Sequence, residues 1–333
     1  MKPRLQSGGE RALLARIFRA LGAGGKSPGL LLGPGDDAAL IAPRQGMQWV
    51  VTCDSFCEQT HFLLHGHPPD AVGYKALARA ASDLATMGAT PRFYLLAMAL
   101  PPALTGAWLN RMLTGMARAA RHCKLRLAGG DTSAQATVSL SLTVIGEAPR
   151  GFAVTRGGAR PGHRLFVSGT LGEARLGLEL TRRRLTRHRE AAPFLRRHCY
   201  PEPRIELGCW LARNKLVSAM IDLSDGLSTD LHNLCRASGV GACIQSERLP
   251  AVAVPRIPGL RADALKFALH GGDDYELLFA VSSRVAHRIP ASYRGLRLTC
   301  IGEVTRRKSV MLQDAAGKRD SLRAEGWDPF RTK

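Results

Sequence analysis

The chain has 333 residues, of which 45% are hydrophobic, and this length allows two domains of about 150 residues each. The formal net charge of +20 would suit a nucleic-acid-binding protein only if basic and aromatic side chains clustered together, but the arginines are spread along the chain. No run approaches the roughly 18 consecutive apolar residues that a membrane span needs, so we expect a cytoplasmic protein with no membrane and no nucleic-acid partner.

The first half of the chain alternates predicted helices and strands. Apolar residues at helical spacing predict a helix over 10–21, and an alanine-rich helix is predicted from Asp70 to Gly88, with Pro91 as its stop signal. The other predicted elements are a helix over 105–122 and strands over 38–41, 48–53, 92–100, 125–128 and 137–145. This alternation predicts an α/β architecture in which sheets are layered with helices.

A linker rich in Gly, Arg and Pro at 153–164 marks the predicted domain boundary, so we assign residues 1–150 to one domain and residues 151–333 to the other. The basic run TRRRLTRHRE at 181–190 is interpreted as the exposed side of a helix near 180–197. The second half is also predicted to contain helices from 171, over 204–212 and over 227–238, and strands over 165–168, 218–223, 242–245, 275–281 and 297–304.

Aspartates concentrate where apolar strands meet Gly-rich turns. Five such junctions occur: GPGDDAAL at 33–40, VVTCDS at 50–55, LAGGDTS at 127–133, IDLSDGLSTDL at 221–231 and HGGDDYELLF at 270–279. Each one alone is explained by the turn-forming tendency of Asp and Gly. Several carboxylates in one cleft would repel each other unless cations lay between them, and Mg²⁺ suits carboxylate oxygens together with substrate phosphates. Asp83 is either a further ligand or a salt-bridge partner of Arg79.

A competing phosphate-binding signal lies at ALGAGGKS, residues 20–27, which nearly reproduces the spacing of a P-loop around Lys26. A functional P-loop follows a strand and opens a helix, whereas this segment follows a predicted helix and runs into Pro28 and Gly29. We therefore predict that Lys26 does not hold the phosphates of a nucleotide.

An ordered series of motifs covers nearly the whole chain: GDD at 35–37, TCD at 52–54, H-F at 61–62, YKALARAASDLATMGA at 74–89, AGGDT at 128–132, TRGGARPGH at 155–163, IDLSDGLSTDL at 221–231, GGDDYEL at 271–277 and GWDPF at 326–330. This series resembles the thiamine-monophosphate kinases, within the aminoimidazole-ribotide synthetase-like superfamily. The sequence departs from the family pattern at Cys53, where Thr is usual, and at Asp273, where Glu is usual.

The resemblance implies a two-domain fold of mixed sheets flanked by helices. The N-terminal domain would bind ATP and magnesium and form a homodimer, and the C-terminal domain would complete the nucleotide and substrate cleft. The implied reaction, the last step of thiamine diphosphate biosynthesis, is Mg²⁺-dependent transfer of the γ-phosphoryl group of ATP onto thiamine monophosphate. The acceptor is itself a nucleophilic phosphate, so no residue is given a covalent or acid–base role. The alternatives are a superfamily synthetase with another phosphate acceptor and a nucleotide-binding protein without catalysis.

Site residues are implied by the same resemblance. Several Mg²⁺ ions would be held by Asp37, Thr52, Asp54, Asp83, Asp131, Asp222 and Asp225, and by Cys53 through its backbone. ATP would contact Gly130, Asp131, Arg156 and Ser224. Thiamine monophosphate would contact His61, Asp273 and Trp327, the last through stacking or a cation–π contact, although a core role for Trp327 stays open.

Overall fold

The structure is a computed structural model that describes residues 9–22, 28–33 and 38–330. The chain divides into two compact units. Unit 1 comprises the described residues up to Leu84 together with Ala89–Gly151, and unit 2 comprises Ala85–Gly88 and the described residues from Phe152 onward. Each unit combines a sheet with helices, which confirms the predicted α/β class.

Unit 1 is built on a four-stranded sheet. Its helices are α1 (Gly9–Ala20), α2 (Pro69–Thr86) and α3 (Ala107–Cys123), and its strands are β1 (Leu30–Leu32), β2 (Leu40–Ile41), β3 (Met47–Cys57), β4 (Thr90–Leu100), β5 (Arg126–Ala134) and β6 (Ser139–Pro149). β1 and β2 form an antiparallel hairpin. The other four strands lie in the order β3-β6-β4-β5, so β3 and β5 form the edges of this sheet. Only the β4 and β5 pair is parallel, and the other two pairs are antiparallel.

Helix α2 covers one face of the unit 1 sheet, and α3 packs beside it. The two helices approach closely because glycine stands at the contacts: a Cβ at Gly73 would collide with the backbone of Met112, and one at Gly115 with the carbonyl group of Asp70. The other face of the sheet is open, and Val51 on β3 is 60% exposed there. A side chain on this sheet therefore points either under α2 or onto the open face.

Unit 2 is built on a larger mixed sheet. Its helices are α4 (Glu173–Arg182), α5 (Ala192–Cys199), α6 (Ile205–Arg213), α7 (Leu227–Ser238) and α8 (Ala264–His270). Its strands are β7 (Arg164–Ser168), β8 (Ala219–Asp222), β9 (Gly241–Gln245), β10 (Leu277–Val281), β11 (Ser292–Tyr293), β12 (Leu296–Thr305), β13 (Val310–Gln313) and β14 (Arg319–Ser321). The order is β14-β13-β9-β12-β7-β10-β8, with β11 paired to β12, and β13 runs parallel to β9.

Both faces of the unit 2 sheet carry a hydrophobic core. Leu165 and Val167 of β7 point into a core that α7 and α8 complete. The intervening Phe166 points the other way, into a core shared with α6, where it stacks on Phe279 with ring centroids 5.6 Å apart. β8 alternates in the same way, with Ile221 in the first core and Met220 in the second, so β8 and Asp222 at its end lie between two helix layers.

The prediction of one basic helix near 180–197 is wrong. Helix α4 ends at Arg182, because Arg184 adopts a left-handed φ of 58° and the N–H groups of Arg184 and Leu185 bond back to carbonyl groups of α4. Leu185 then packs in the small core between α4 and α5. Arg182 is therefore the last residue of α4, and the later arginines of this run lie in an exposed segment between α4 and α5.

Pro91 does not mark the end of α2, which stops at Thr86. It lies inside β4, next to a register shift between Pro91 and Phe93 that accommodates its missing N–H group. The strand predicted over 125–128 is too short, because parallel pairing with β4 carries β5 on to Ala134. Helix α8 was not predicted from the sequence.

Candidate functional site

Unit 1 brings Thr52, Asp54 and Asp83 together under α2. The Thr52 hydroxyl donates to Asp83 Oδ2 at 2.5 Å, and Arg79 Nε lies 3.5 Å from Asp54 Oδ2. Arg79 thus pairs with the strand carboxylate, while Asp83, four residues along α2, accepts from the strand hydroxyl. This arrangement arises because Thr52 and Asp54 alternate onto the same face of β3.

The pKa of Asp54 is raised from its ordinary value. Burial is the main cause; the positive charge of Arg79 opposes the rise, and the negative charge of Asp83 adds to it. Two carboxylates and a hydroxyl, all hard oxygen donors without His or Cys, are the ligands that Mg²⁺ prefers. A divalent cation would relieve the repulsion between Asp54 and Asp83, so this donor set fits the metal that the resemblance implies.

The side chain of Cys53 is on the opposite, open face of β3, where Thr143 Oγ1 lies 3.5 Å from its Sγ. It cannot join Thr52 and Asp54 in holding one ion except through the backbone. Asp37 lies outside the described residues.

Gly130 and Asp131 lie on β5, at the other edge of the unit 1 sheet from Asp54. The register pairs Asp54 through Leu142 and β4 with Gly130, which places Asp131 on the open face instead. Three strand spacings, about 14 Å in all, separate the two edges. Unit 1 therefore does not bring Asp131 to Asp54 and Asp83.

His61 is fixed in the loop after β3. Its Nδ1 accepts a hydrogen bond from the Cys57 N–H at 2.9 Å, and its ring stacks on Phe56 with centroids 5.5 Å apart. The guanidinium of Arg79 lies over the same Phe56 ring, 5.4 Å from its centroid. The Phe56 ring thus contacts both His61 and Arg79, the partner of Asp54, and so holds His61 near Asp54.

Three distant segments of the sequence converge in unit 2. The N–H of Asp273 donates to the Ser224 carbonyl at 2.8 Å, and that of Tyr275 donates to the Leu223 carbonyl at 2.9 Å. The N–H of Trp327 donates to the Asp225 carbonyl at 2.8 Å. The loop between β8 and α7 is thus the base on which the segment before β10 and the C-terminal segment are both docked. Asp222, Ser224, Asp225, Asp273 and Trp327 are brought into one region of the unit in this way.

Asp230, on the first turn of α7, was not assigned from the sequence. Its Oδ2 accepts from the N–H groups of Asp225 and Gly226 at 3.1 and 3.0 Å. Burial raises the pKa of Asp230 well above its ordinary value, and the negative charges of Asp222 and Asp225 add to the rise. Asp230 shapes the loop, and its carboxylate adds to the negative charge of Asp222 and Asp225, which a cation would offset.

Asp273 is held in an uncommon backbone conformation. Its φ is +70° and that of Tyr275 is +51°, in the region that non-glycine residues rarely adopt. The Tyr275 hydroxyl donates to Asp273 Oδ1 at 3.0 Å, while the buried His198 has Nδ1 3.9 Å from Oδ2. Such strain persists where surrounding contacts enforce it, and it is common at functional sites.

Asp274, the next residue, was also missed. It caps the start of α4, accepting from the N–H groups of Gly172 and Ala174 at 2.7 and 3.3 Å. Burial raises the pKa of Asp274 well above its ordinary value. The HGGDD motif thus holds two carboxylates with different partners: Asp273 accepts from the Tyr275 hydroxyl, and Asp274 accepts from backbone N–H groups at the start of α4.

The backbone of Arg156 lies away from the loop between β8 and α7. Its carbonyl accepts from Ser238 Oγ at 2.8 Å, at the C-terminal end of α7, and its side chain is exposed. Ser224 precedes the N-terminal end of the same helix, about 18 Å away for 12 residues. The structure therefore does not place the Arg156 backbone beside the Ser224 loop.

Among the described residues, no three His, Cys, Asp or Glu side chains are close enough together to hold a metal ion by themselves. The carboxylates of each unit would accordingly need water or substrate oxygens to complete a coordination shell, which is the usual mode of Mg²⁺ binding. No helix in the described part of the chain has the length and apolar character for crossing a membrane.

Comparison with known proteins gives matches over nearly the whole chain. Residues 35–148 match the family described as AIR synthase related protein, N-terminal domain, and residues 160–314 match its C-terminal domain. The thiamine-monophosphate kinase of Escherichia coli is 35% identical over 328 residues, which cover 97% of this chain and 99% of that protein.

Solved structures agree with the sequence matches. The thiamine-monophosphate kinase from Stenotrophomonas maltophilia has a TM-score of 0.81 at 35% identity, covering 94% of this chain and 98% of that one. The structure described as AaThiL complexed with AMPPCP and TMP has a TM-score of 0.75 at 31% identity, covering 96% and 97%. With both domains matched and nearly the full length of each relative covered, the chain belongs to the thiamine-monophosphate kinase family of the AIR synthase-related proteins.

Proposed function

We propose that this chain transfers the γ-phosphoryl group of ATP to thiamine monophosphate and forms thiamine diphosphate and ADP. The observation that carries the proposal is the full-length similarity to thiamine-monophosphate kinases, one of whose solved relatives is described as complexed with AMPPCP and TMP. The convergence of the Ser224, Asp273 and Trp327 segments in unit 2 supports it, because the implied nucleotide and acceptor residues share one loop.

The chemistry needs no nucleophile from the protein. A phosphate oxygen of thiamine monophosphate forms the new bond to the γ-phosphorus, and the bond from that phosphorus to the bridging oxygen of ADP breaks. The work of the chain is to bring two anions together in line and to offset their repulsion. No side-chain base is therefore required.

Magnesium dependence is part of the proposal. Bound Mg²⁺ would neutralise charge on the transferring phosphate and on both substrates. Thr52, Asp54 and Asp83 are proposed as ligands from unit 1, with Asp37 and Asp131, and Asp222 and Asp225 are proposed from unit 2. Cys53 would contribute only through its backbone. The pKa values of Asp54 and Asp230 are both raised mainly by burial and further by neighbouring carboxylates, and a bound cation would offset both effects, which supports this assignment.

The remaining residues are proposed as substrate contacts. Gly130, Asp131, Arg156 and Ser224 would contact ATP, and His61, Asp273 and Trp327 would contact thiamine monophosphate. Gly130 has a physical reason to be glycine, because a Cβ there would collide with the carbonyl group of Leu96. Trp327 is 43% exposed, so a ring face is accessible to a cationic or aromatic ligand.

Acceptor specificity tests the proposed reaction. Thiamine monophosphate should be converted to thiamine diphosphate, whereas free thiamine should show no phosphorylation above background, because it lacks the phosphate nucleophile. Both compounds are incubated with ATP and Mg²⁺, and products are separated by chromatography. Equal turnover of the two acceptors would reject the proposed reaction, and turnover of some other phosphate ester alone would favour a different superfamily synthetase.

We further propose a cytoplasmic homodimer that pairs through the open face of the unit 1 sheet. The exposed side chains of Val51, Cys53 and Ser55 on this face would lie at the interface between the two protomers. Val51→Glu should lower the mass measured by light scattering from twice 35.9 kDa to the monomer value. Leu265→Glu in unit 2, at a residue 38% exposed, is the matched control and should stay dimeric. A wild-type monomer with full activity would exclude the dimer.

A further inference from the structure

The C-terminal segment is attached to α7 by three successive backbone N–H groups. Glu325 donates to Ser228 Oγ at 3.3 Å, Gly326 donates to Thr229 Oγ1 at 3.0 Å, and Trp327 donates to the Asp225 carbonyl at 2.8 Å. The three acceptors lie on the first turn of α7 and the loop before it. We call these three hydrogen bonds the tail latch.

Glycine at position 326 is required by how closely the tail approaches the helix. A Cβ on Gly326 would collide with the carbonyl oxygen of Asp225 and with the hydroxyl of Thr229. Both are acceptors of the tail latch, and backbone cannot move aside as a flexible side chain can. The segment is therefore built to lie directly on the Asp225 loop.

The acceptor Ser228 is itself held from the other side. Its hydroxyl is fully buried and lies 2.9 Å from His270 Nδ1, and His270 Nε2 lies 3.9 Å from Glu325 Oε2. Serine, histidine and glutamate in this order also occur in hydrolases, but a wholly buried hydroxyl that already accepts from Glu325 has no access to a substrate. Ser228 of α7, His270 of α8 and Glu325 of the C-terminal segment thus form one chain of contacts that joins the three segments.

We propose that Ser228 and Thr229 are positioning residues, which hold Trp327 in place for the acceptor through the tail latch. The tryptophan has no secondary structure around it, so its place depends on these bonds. Because the Trp327 N–H is bonded to the carbonyl of Asp225, the same loop positions a proposed metal ligand and the aromatic contact to the acceptor. This inference rests on the proposed function, since it deepens the part that Trp327 plays there.

The expected kinetic effect is selective. Loss of one latch bond frees the tail locally, so the KM for thiamine monophosphate should rise by about tenfold, given the strength of a typical hydrogen bond. The KM for ATP should change by less than about twofold, because no ATP contact is proposed on the tail. Thr229→Ser keeps the hydroxyl and should restore the wild-type KM.

The test combines kinetics with amide hydrogen exchange of the tail, in the full-length protein. Thr229→Val removes the acceptor at nearly constant volume, and Gly326→Ala breaks the contact from the tail side without altering α7. Both should speed exchange at 325–328 by at least about tenfold and raise the KM for thiamine monophosphate. Thr305→Val is the control: its hydroxyl donates to the Arg307 carbonyl at 3.0 Å in another turn of unit 2, and its loss should change neither readout.

Unchanged exchange in both Thr229→Val and Gly326→Ala would overturn the tail latch, whatever the enzyme phosphorylates. Faster exchange with an unchanged KM for thiamine monophosphate would overturn the positioning role. Failure of the proposed function shows separately, because a wild-type protein that does not phosphorylate thiamine monophosphate still reports the exchange of its tail.

Discussion

Asp54→Asn should reduce turnover by on the order of a hundredfold or more while leaving the protein folded, and Asp131→Asn should do the same. Asp54→Asn removes a ligand charge from the proposed ion site beside Thr52 and Asp83, and Asp131→Asn removes one from the proposed ion and ATP contacts on the open face. Folding should survive at Asp54 because an amide of the same shape removes a carboxylate whose pKa is raised mainly by burial and further by the negative charge of Asp83. Turnover is measured over a range of Mg²⁺ concentrations, with circular dichroism as the folding check.

Lys26→Ala is compared with the two aspartate variants, because the sequence around Lys26 resembles a P-loop. A P-loop there would bind the same ATP phosphates as the proposed metal ions. We expect a change below about threefold, whereas a true P-loop lysine bridges the β- and γ-phosphates and its loss is nearly fatal. Near-normal activity in both aspartate variants together with collapse in Lys26→Ala would contradict the proposed metal chemistry.

Arg204→Leu should destabilise the protein by about 3–5 kcal/mol, because it leaves the Glu276 carboxylate buried without its charged partner. Arg204 Nε donates to Glu276 Oε2 at 2.8 Å, a second guanidinium nitrogen bonds the other oxygen, and Ser168 Oγ donates to Oε2 at 2.5 Å. Glu276 is only 3% exposed. The free energy of unfolding is measured by urea denaturation.

Arg164→Leu provides the contrast. Arg164 pairs with Glu303 at 3.2 Å, but these side chains are 49% and 47% exposed, so its loss should cost no more than about 1 kcal/mol. Adding Glu276→Gln to Arg204→Leu should recover part of the lost stability, since the uncompensated charge is then gone. Equal losses for Arg204→Leu and Arg164→Leu would show that burial of the Glu276 pair has no special energetic role.

Local sequence signals predicted the helices that have a clear apolar stripe and end signal, and they predicted strand lengths poorly. Helix α7 has the predicted bounds, 227–238, because an apolar stripe and Gly239 at its end specify it locally. Strand β5 extends beyond its prediction through Gly129 and Gly130, residues that argue against a strand unless a neighbouring strand pairs with them. The prediction of one basic helix was wrong because Arg184 adopts a left-handed conformation. That conformation accompanies the packing of Leu185 in the core between α4 and α5, a tertiary contact that local sequence does not specify.

In the candidate site, too, local sequence predicted some features, whereas others depend on tertiary contacts. The aspartate motifs identified the loops, but only the register shows that Asp131 lies on the opposite face from Asp54. Asp230 and Asp274 were missed because their carboxylates accept backbone N–H groups within the fold, which no spacing rule reveals. Docking of Trp327 on Asp225, across about 100 residues of sequence, is likewise a tertiary contact.

The most direct test follows the phosphorus of ATP. The protein is incubated with thiamine monophosphate and ATP labelled at the γ-phosphate, with Mg²⁺ or with excess EDTA. We predict that the label appears at the terminal phosphate of thiamine diphosphate, with one ADP formed per product, and that EDTA abolishes transfer. Label found only in inorganic phosphate, with thiamine monophosphate unchanged, would contradict the proposed transfer.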